Sequence, residues 1–116
     1  MSDLTIYHNP RCSKSRQTLE LIRDAGVEPE LVLYLEDVPS SADIKDALTM
    51  LDMQPQELLR RGEPEFREHF KDVSKIDDQE IIERMRRYPK VIERPIVINE
   101  GKAVIGRPPE NALTIL

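Results

Sequence analysis

A strand, a helix and a second strand follow one another at the start of the chain, and this order constrains the fold more than any other feature. Residues 4–7 predict a strand that ends at a turn-forming Asn-Pro pair. Residues 14–25 carry apolar side chains at helical spacing, and Gly26 is the expected C-terminal stop. Residues 30–35 predict a second strand, buried on both faces. Because strands connected through a helix run parallel, the segment predicts a βαβ unit.

The middle of the chain has a helical pattern. Ser40 or Ser41 is the expected N-cap of one helix, and Asp77 or Asp78 is the expected N-cap of another. Between them, residues 56–61 predict a short helix. No linker separates this stretch from its surroundings, so we interpret it as an insertion and not as a separate domain.

The last part of the chain returns to a β pattern. Residues 96–98 and 103–105 predict two strands, and the turn between them contains Gly101, which is typical of a hairpin. A final helix is expected to begin near Pro108 and Pro109, because proline is favourable in the first turn of a helix.

The complete element order predicts an α/β protein with a mixed sheet: β-α-β, a helical insertion, a β-hairpin and a C-terminal helix. This is the arrangement of the thioredoxin-like fold. A length of 116 residues fits one domain. We therefore expect residues 1–116 to form a single thioredoxin-like domain with a helical insertion at about residues 40–88.

Composition excludes several classes of function. The formal net charge is −5, with 22 acidic and 17 basic residues, which argues against nucleic-acid binding. The apolar runs are too short to cross a membrane. One cysteine and no visible export signal predict a cytoplasmic protein. No glycine-rich phosphate loop or metal-ligand set is present, so we expect no bound cofactor and no metal.

The single cysteine, Cys12, is the strongest candidate for chemistry. It lies where the first helix begins, and Cys12 or Ser13 is the expected N-cap. Unpaired N–H groups and the helix dipole favour a thiolate there, and Arg11, Lys14 and Arg16 add positive charge nearby. The alternative is a buried structural cysteine, although charged neighbours are not typical of a core position. Since position 15, where a resolving thiol would lie, is serine, redox chemistry has to be monothiol, with electrons from an outside thiol.

A histidine and several arginines are further candidates. His8 precedes Cys12 by four residues, and a protonated imidazole near a thiol would stabilise the thiolate. The alternative is a loop histidine that hydrogen-bonds to backbone, and we assign no role to His69. Arginine has a fork of donors that fits tetrahedral oxyanions, but each arginine by itself fits a surface ion pair equally well. The arginines beside backbone-bending residues are Arg60, Arg61, Arg94 and Arg107.

With these residues, the chain resembles the glutaredoxin-coupled arsenate reductase family over essentially its whole length. The combination of matching segments is specific, whereas no single segment is. The segments are Thr5-Ile6-Tyr7-His8-Asn9-Pro10-Arg11-Cys12-Ser13-Lys14-Ser15-Arg16, Leu33-Tyr34-Leu35-Glu36, Leu58-Leu59-Arg60, Arg94-Pro95-Ile96-Val97 and Gly106-Arg107-Pro108.

The resemblance implies a complete mechanism. Cys12 would be the nucleophile that forms a covalent adduct with arsenate, and His8 would help to keep its thiol ionised. Glutathione, as cosubstrate, would attack the adduct, and glutaredoxin would resolve the mixed disulfide to release arsenite. Pro95 would be the cis-proline that thioredoxin-like folds place opposite the active cysteine. The residues implied to bind the oxyanion are Arg60, Arg94 and Arg107.

The active loop departs from the family pattern. Well-studied members have Cys-Gly-Thr-Ser-Arg, whereas this chain has Cys12-Ser13-Lys14-Ser15-Arg16. Two alternative functions stay open from the sequence. One is a regulatory binding module similar to the redox regulators that bind RNA polymerase. The other is a monothiol, glutathione-dependent oxidoreductase that acts on a different substrate.

Overall fold

Four strands form a mixed sheet in the computed structural model, which describes residues 4–116. The strands are β1 (Leu4–Tyr7), β2 (Glu30–Val32), β3 (Ile96–Asn99) and β4 (Lys102–Ile105), in the spatial order β2-β1-β3-β4. β1 pairs parallel with β2 and antiparallel with β3, and β3 pairs antiparallel with β4. The predicted α/β fold with a mixed sheet is confirmed.

The chain divides into two compact units. The sheet lies in the first unit, which is formed by the chain up to Asp37 together with Arg94–Leu116, and the second unit is Val38–Glu93. The prediction of one domain with a helical insertion stays a prediction. Within residues 4–116, no helix combines the length and the apolar character that crossing a membrane requires.

The core of the first unit lies between the sheet and two helical segments. Helix α1 (Ser13–Asp24) ends before Gly26, which has a φ of +88° and is the predicted stop. The predicted C-terminal helix is a 3-10 helix, Pro109–Ile115, that packs on α1 and β4. The buried core residues that these elements share are Leu4, Ile6, Leu19, Ile22, Val97 and Ala112.

The second strand is shorter and more exposed than predicted. β2 ends at Val32, because the chain then turns, with the N–H groups of Glu36 and Asp37 donating to the Leu33 carbonyl. The strand lies at the edge of the sheet, and Leu31 is 39% exposed. The prediction of a strand over residues 30–35 buried on both faces was therefore wrong.

The second unit is helical, as predicted, but contains more elements. Ser40 caps α2 (Ser41–Leu51) and Asp77 caps α4 (Asp78–Arg87), each by accepting from a backbone N–H of the first turn. The expected short helix over residues 56–61 is a 3-10 helix, Pro55–Leu58. Helix α3 (Pro64–His69) was not predicted from the sequence, nor were two further 3-10 helices, Val73–Lys75 and Pro89–Val91.

Two glycines are required by the backbone of the first unit. The predicted hairpin between β3 and β4 is confirmed, and its two turn residues, Glu100 and Gly101, have φ angles of 50° and 79°. Gly106 follows β4 and lies against α1 and Pro95, where an added Cβ would come within 2.5 Å of Thr18 Oγ1 and 2.8 Å of Pro95 Cγ. Only a residue without a side chain fits this contact.

We predict that Gly106→Ala lowers the free energy of unfolding by about 1–3 kcal/mol, because the methyl group overpacks a buried contact. Urea denaturation measures the change. Gly62→Ala is the matched control, since an added Cβ there meets no atom of a described residue within 4 Å. We expect the control to change stability by less than about 0.5 kcal/mol, and equal effects of the two variants would contradict the close-contact argument.

Candidate active site

Cys12 is the N-cap residue of α1. Its backbone is extended, its N–H donates to the Asn9 carbonyl at 3.0 Å, and its own carbonyl accepts from Arg16 N–H at 3.0 Å. The thiol is free and half-buried. The N–H groups of Ser15 and Lys14, in the first turn of α1, interact with the sulfur.

Two arginines from the loops around β3 and β4 meet at the sulfur. Arg107 Nη2 lies 3.5 Å from Cys12 Sγ, and Arg107 Nε donates to the backbone carbonyl of Arg94 at 2.9 Å. The side chain of Arg94 also interacts with the Cys12 sulfur. Each arginine is followed by a cis peptide bond, to Pro95 and to Pro108 respectively, and the first of these was implied by the resemblance.

These surroundings favour the thiolate form of Cys12. Partial burial raises the pKa of the thiol, but the N–H groups of Ser15 and Lys14 and the guanidinium of Arg94 together lower the pKa below its ordinary value. Because the thiolate is the nucleophilic form of cysteine, the lowered pKa favours nucleophilic chemistry at Cys12.

His8 is buried and bound to Ser15. His8 Nδ1 and Ser15 Oγ are 2.6 Å apart, and the same oxygen accepts from Asn9 N–H at 3.0 Å. The hydrogen bond between His8 Nδ1 and Ser15 Oγ links the imidazole to the first turn of α1. Ser15 therefore occupies the position of a resolving thiol but orders the loop before Cys12.

The imidazole of His8 is favoured in its neutral form. Burial lowers its pKa, and the positive charges of Arg23 and Arg16 lower the pKa further. The expected stabilisation of the thiolate by a protonated imidazole thus lacks its electrostatic basis here, and the assignment of His8 to thiol ionisation stays a prediction.

Arg60 lies in the second unit and is engaged by carboxylates. Its Nη1 is 2.7 Å from Glu93 Oε1, and its Nε is 3.6 Å from Glu63 Oε1. Its backbone N–H donates to the Val91 carbonyl. The sequence analysis missed both carboxylate partners, and no pattern in the sequence points to them. The assignment of Arg60 as an oxyanion ligand stays a prediction.

In the described part of the chain, no three His, Cys, Asp or Glu side chains are grouped so that they could hold a metal ion. The chemistry that the geometry supports centres on Cys12, Arg94 and Arg107. A thiolate beside two guanidinium groups can attract a tetrahedral anion and attack its central atom.

Several known proteins are similar to this chain in sequence and in fold. The ArsC family model matches residues 7–115. The uncharacterized protein YfgD of Escherichia coli (strain K12) is 49% identical over 96% of this chain and 94% of its own. An arsenate reductase of Escherichia coli is 39% identical over 100% of this chain and 82% of its own. The structure of an arsenate reductase from Vibrio cholerae has a TM-score of 0.93 and 40% identity, covering 97% of both chains.

The mixed sheet, the βαβ unit and the cysteine at the start of α1 define a thioredoxin-like protein with a single-thiol site. Together with the matches above, these features show that the chain belongs to the ArsC family.

We predict that the alkylation rate of Cys12 by iodoacetamide rises with pH along a titration curve whose midpoint lies below the ordinary thiol pKa. In Arg94→Gln the midpoint moves to higher pH, because a positive charge that favours the thiolate is removed. The rate at pH 7 falls accordingly. Arg87→Gln is the control, since its salt bridge with Glu80 lies on the surface. A wild-type midpoint at or above the ordinary value would contradict the charge argument.

We predict that Ser15→Ala lowers the free energy of unfolding by about 1–3 kcal/mol, because two buried polar groups, Asn9 N–H and His8 Nδ1, lose their partner. Ser13→Ala is the matched control in the same helical turn, as Ser13 is exposed. Denaturant unfolding compares the two variants. If Ser15→Ala lowers the free energy of unfolding by no more than Ser13→Ala does, the Ser15 hydroxyl does not stabilise the loop.

Proposed function

We propose that the chain reduces arsenate to arsenite, with Cys12 as the nucleophile and with glutathione and glutaredoxin as electron donors. The observation that carries the proposal is the contact of Arg107 with the Cys12 sulfur, beside Arg94, at the start of α1. The names of the arsenate reductases among the relatives agree with it. A cytoplasmic location, where thiols stay reduced, belongs to the same proposal.

The first step is attack of the thiolate on arsenic. Arsenate is a tetrahedral anion, and the guanidinium groups of Arg94 and Arg107 offer charge-assisted hydrogen bonds to its oxygens. The sulfur forms a bond to arsenic(V), and one arsenate oxygen leaves as water after protonation. Charge stabilisation by fixed donors is usually the largest catalytic effect at such a site. The resemblance alone supports Arg60 as the third arginine of this step.

The second step transfers two electrons to arsenic. The thiolate of glutathione attacks the sulfur of Cys12, and the sulfur–arsenic bond breaks. Its electron pair stays on arsenic, which leaves as arsenic(III) in arsenite, while Cys12 and glutathione form a mixed disulfide. A glutaredoxin thiol then takes over the glutathionyl group and regenerates the Cys12 thiol.

The single cysteine explains why an outside thiol is needed. With one cysteine in the chain, no internal disulfide can form, and Ser15 fills the position where a second thiol would lie. We therefore expect no reduction by a dithiol protein that resolves an internal disulfide. A monothiol donor followed by glutaredoxin completes the cycle.

We predict arsenate-dependent NADPH oxidation when glutathione, glutaredoxin and glutathione reductase are supplied. Cys12→Ser abolishes the turnover, because an alcohol replaces the nucleophilic thiolate. Replacing the donors with thioredoxin and thioredoxin reductase gives no turnover.

Full activity in Cys12→Ser would contradict the nucleophile, and turnover with thioredoxin alone would contradict the donor. If the folded wild type reduces a small disulfide with glutathione but ignores arsenate, a different substrate takes the place of arsenate in the proposal.

A further inference from the structure

The first unit contains a cleft that is lined in part by the residues immediately before Cys12 in the sequence. One wall is the loop after β1, residues 8–11, and the other wall is formed by Leu33, Leu35 and Glu36 after β2. β1 and β2 are parallel, so their carboxyl ends meet at this edge of the sheet. Open α/β sheets bind ligands at the carboxyl ends of their strands.

Burial and hydrogen bonds order the loop that forms one wall of the cleft. His8 and Asn9 are 5% and 7% exposed, and both are bound to the buried Ser15 hydroxyl. Asn9 Oδ1 accepts from Arg11 N–H at 3.0 Å, and Arg16 Nη1 donates to the Pro10 carbonyl at 2.8 Å. The loop therefore presents the side chain of Arg11 from an ordered backbone.

Opposite charges face the cleft from its two walls. Arg11 and Glu36 both line it, both are exposed, and in residues 4–116 neither side chain has an ion-pair partner. This distinguishes Arg11 from the arginines that are paired with carboxylates, which are Arg23, Arg60, Arg84, Arg86 and Arg87. One available cation and one available anion, in a cleft that Leu33 and Leu35 also line, suit a small zwitterionic peptide.

We propose that this cleft is the binding site for glutathione, an inference that rests on the proposed function. Arg11 pairs with a carboxylate of the tripeptide and Glu36 pairs with its α-ammonium group, while Leu33 and Leu35 cover its apolar part. Glutathione carries its thiol between two charged ends. Arg11 directly precedes Cys12 in the chain, so a peptide bound by Arg11 lies beside the residue that carries the reacting sulfur.

The test is the reaction of the full chain with glutathione disulfide in the absence of arsenate. The Cys12 thiolate attacks one sulfur, a Cys12–glutathione disulfide forms, and one glutathione thiolate leaves. Intact-mass measurement follows the rate. Hydroxyethyl disulfide, which is uncharged, reports the intrinsic reactivity of Cys12 in every variant.

We expect Arg11→Gln and Glu36→Gln each to slow the reaction with glutathione disulfide about fivefold, as for the loss of about 1 kcal/mol of ion pairing. Their rates with hydroxyethyl disulfide stay unchanged. The matched controls are Lys102→Gln and Glu20→Gln, which remove exposed charges outside the cleft and leave both rates unchanged.

Equal slowing with both disulfides would show an effect on thiol reactivity and would overturn the binding site, as would no slowing at all. Since arsenate is absent, these outcomes are independent of whether the protein reduces arsenate. If the wild type does not reduce arsenate but shows the expected charge dependence, the glutathione site is supported and only arsenate as the substrate is contradicted.

Discussion

The close approach of the backbone at Gly106 to α1 holds the candidate site together. Without a side chain at this position, the segment after β4 lies on Thr18 and Pro95, and Gly106 N–H donates to the Pro95 carbonyl at 2.9 Å. The next residue, Arg107, then reaches both the Cys12 sulfur and the Arg94 carbonyl. One packing contact thus fixes two loops and a helix N-terminus relative to one another, and this arrangement gives the thiolate its positive surroundings.

The polar groups around Cys12 divide into two sets with different tasks. Arg94, Arg107 and the first N–H groups of α1 stabilise negative charge on the sulfur. His8 and Ser15 form a buried, neutral hydrogen-bonded pair that orders the preceding loop. The same positive groups that favour the thiolate suit an incoming oxyanion. Since Ser15 is used structurally, the proposed reducing thiol comes from outside the chain, and the cleft beside Arg11 is its proposed binding site.

Local features were predictable from the sequence, and non-local ones were not. β1, α1, the hairpin and the caps Ser40 and Asp77 follow from periodicity and turn chemistry within a few residues. The length and exposure of β2 depend on its edge position, which the order of the strands decides. Helix α3 has six residues, none of them buried, so it left no apolar pattern.

The contact of Arg107 with Cys12 joins residues that are 95 positions apart in the sequence, and only the family resemblance suggested it. The bond between His8 and Ser15 was missed, because serine in a first helical turn is unremarkable.

A single turnover without glutaredoxin is the decisive test of covalent catalysis by a charge-stabilised Cys12. The reduced protein is mixed with arsenate and glutathione, and arsenite and the intact protein mass are measured together. We expect one arsenite and one glutathionyl group on Cys12 for each protein molecule, with neither product in Cys12→Ser. Arsenite formation without glutathionylation of Cys12, or glutathionylation that is independent of arsenate, would contradict this mechanism.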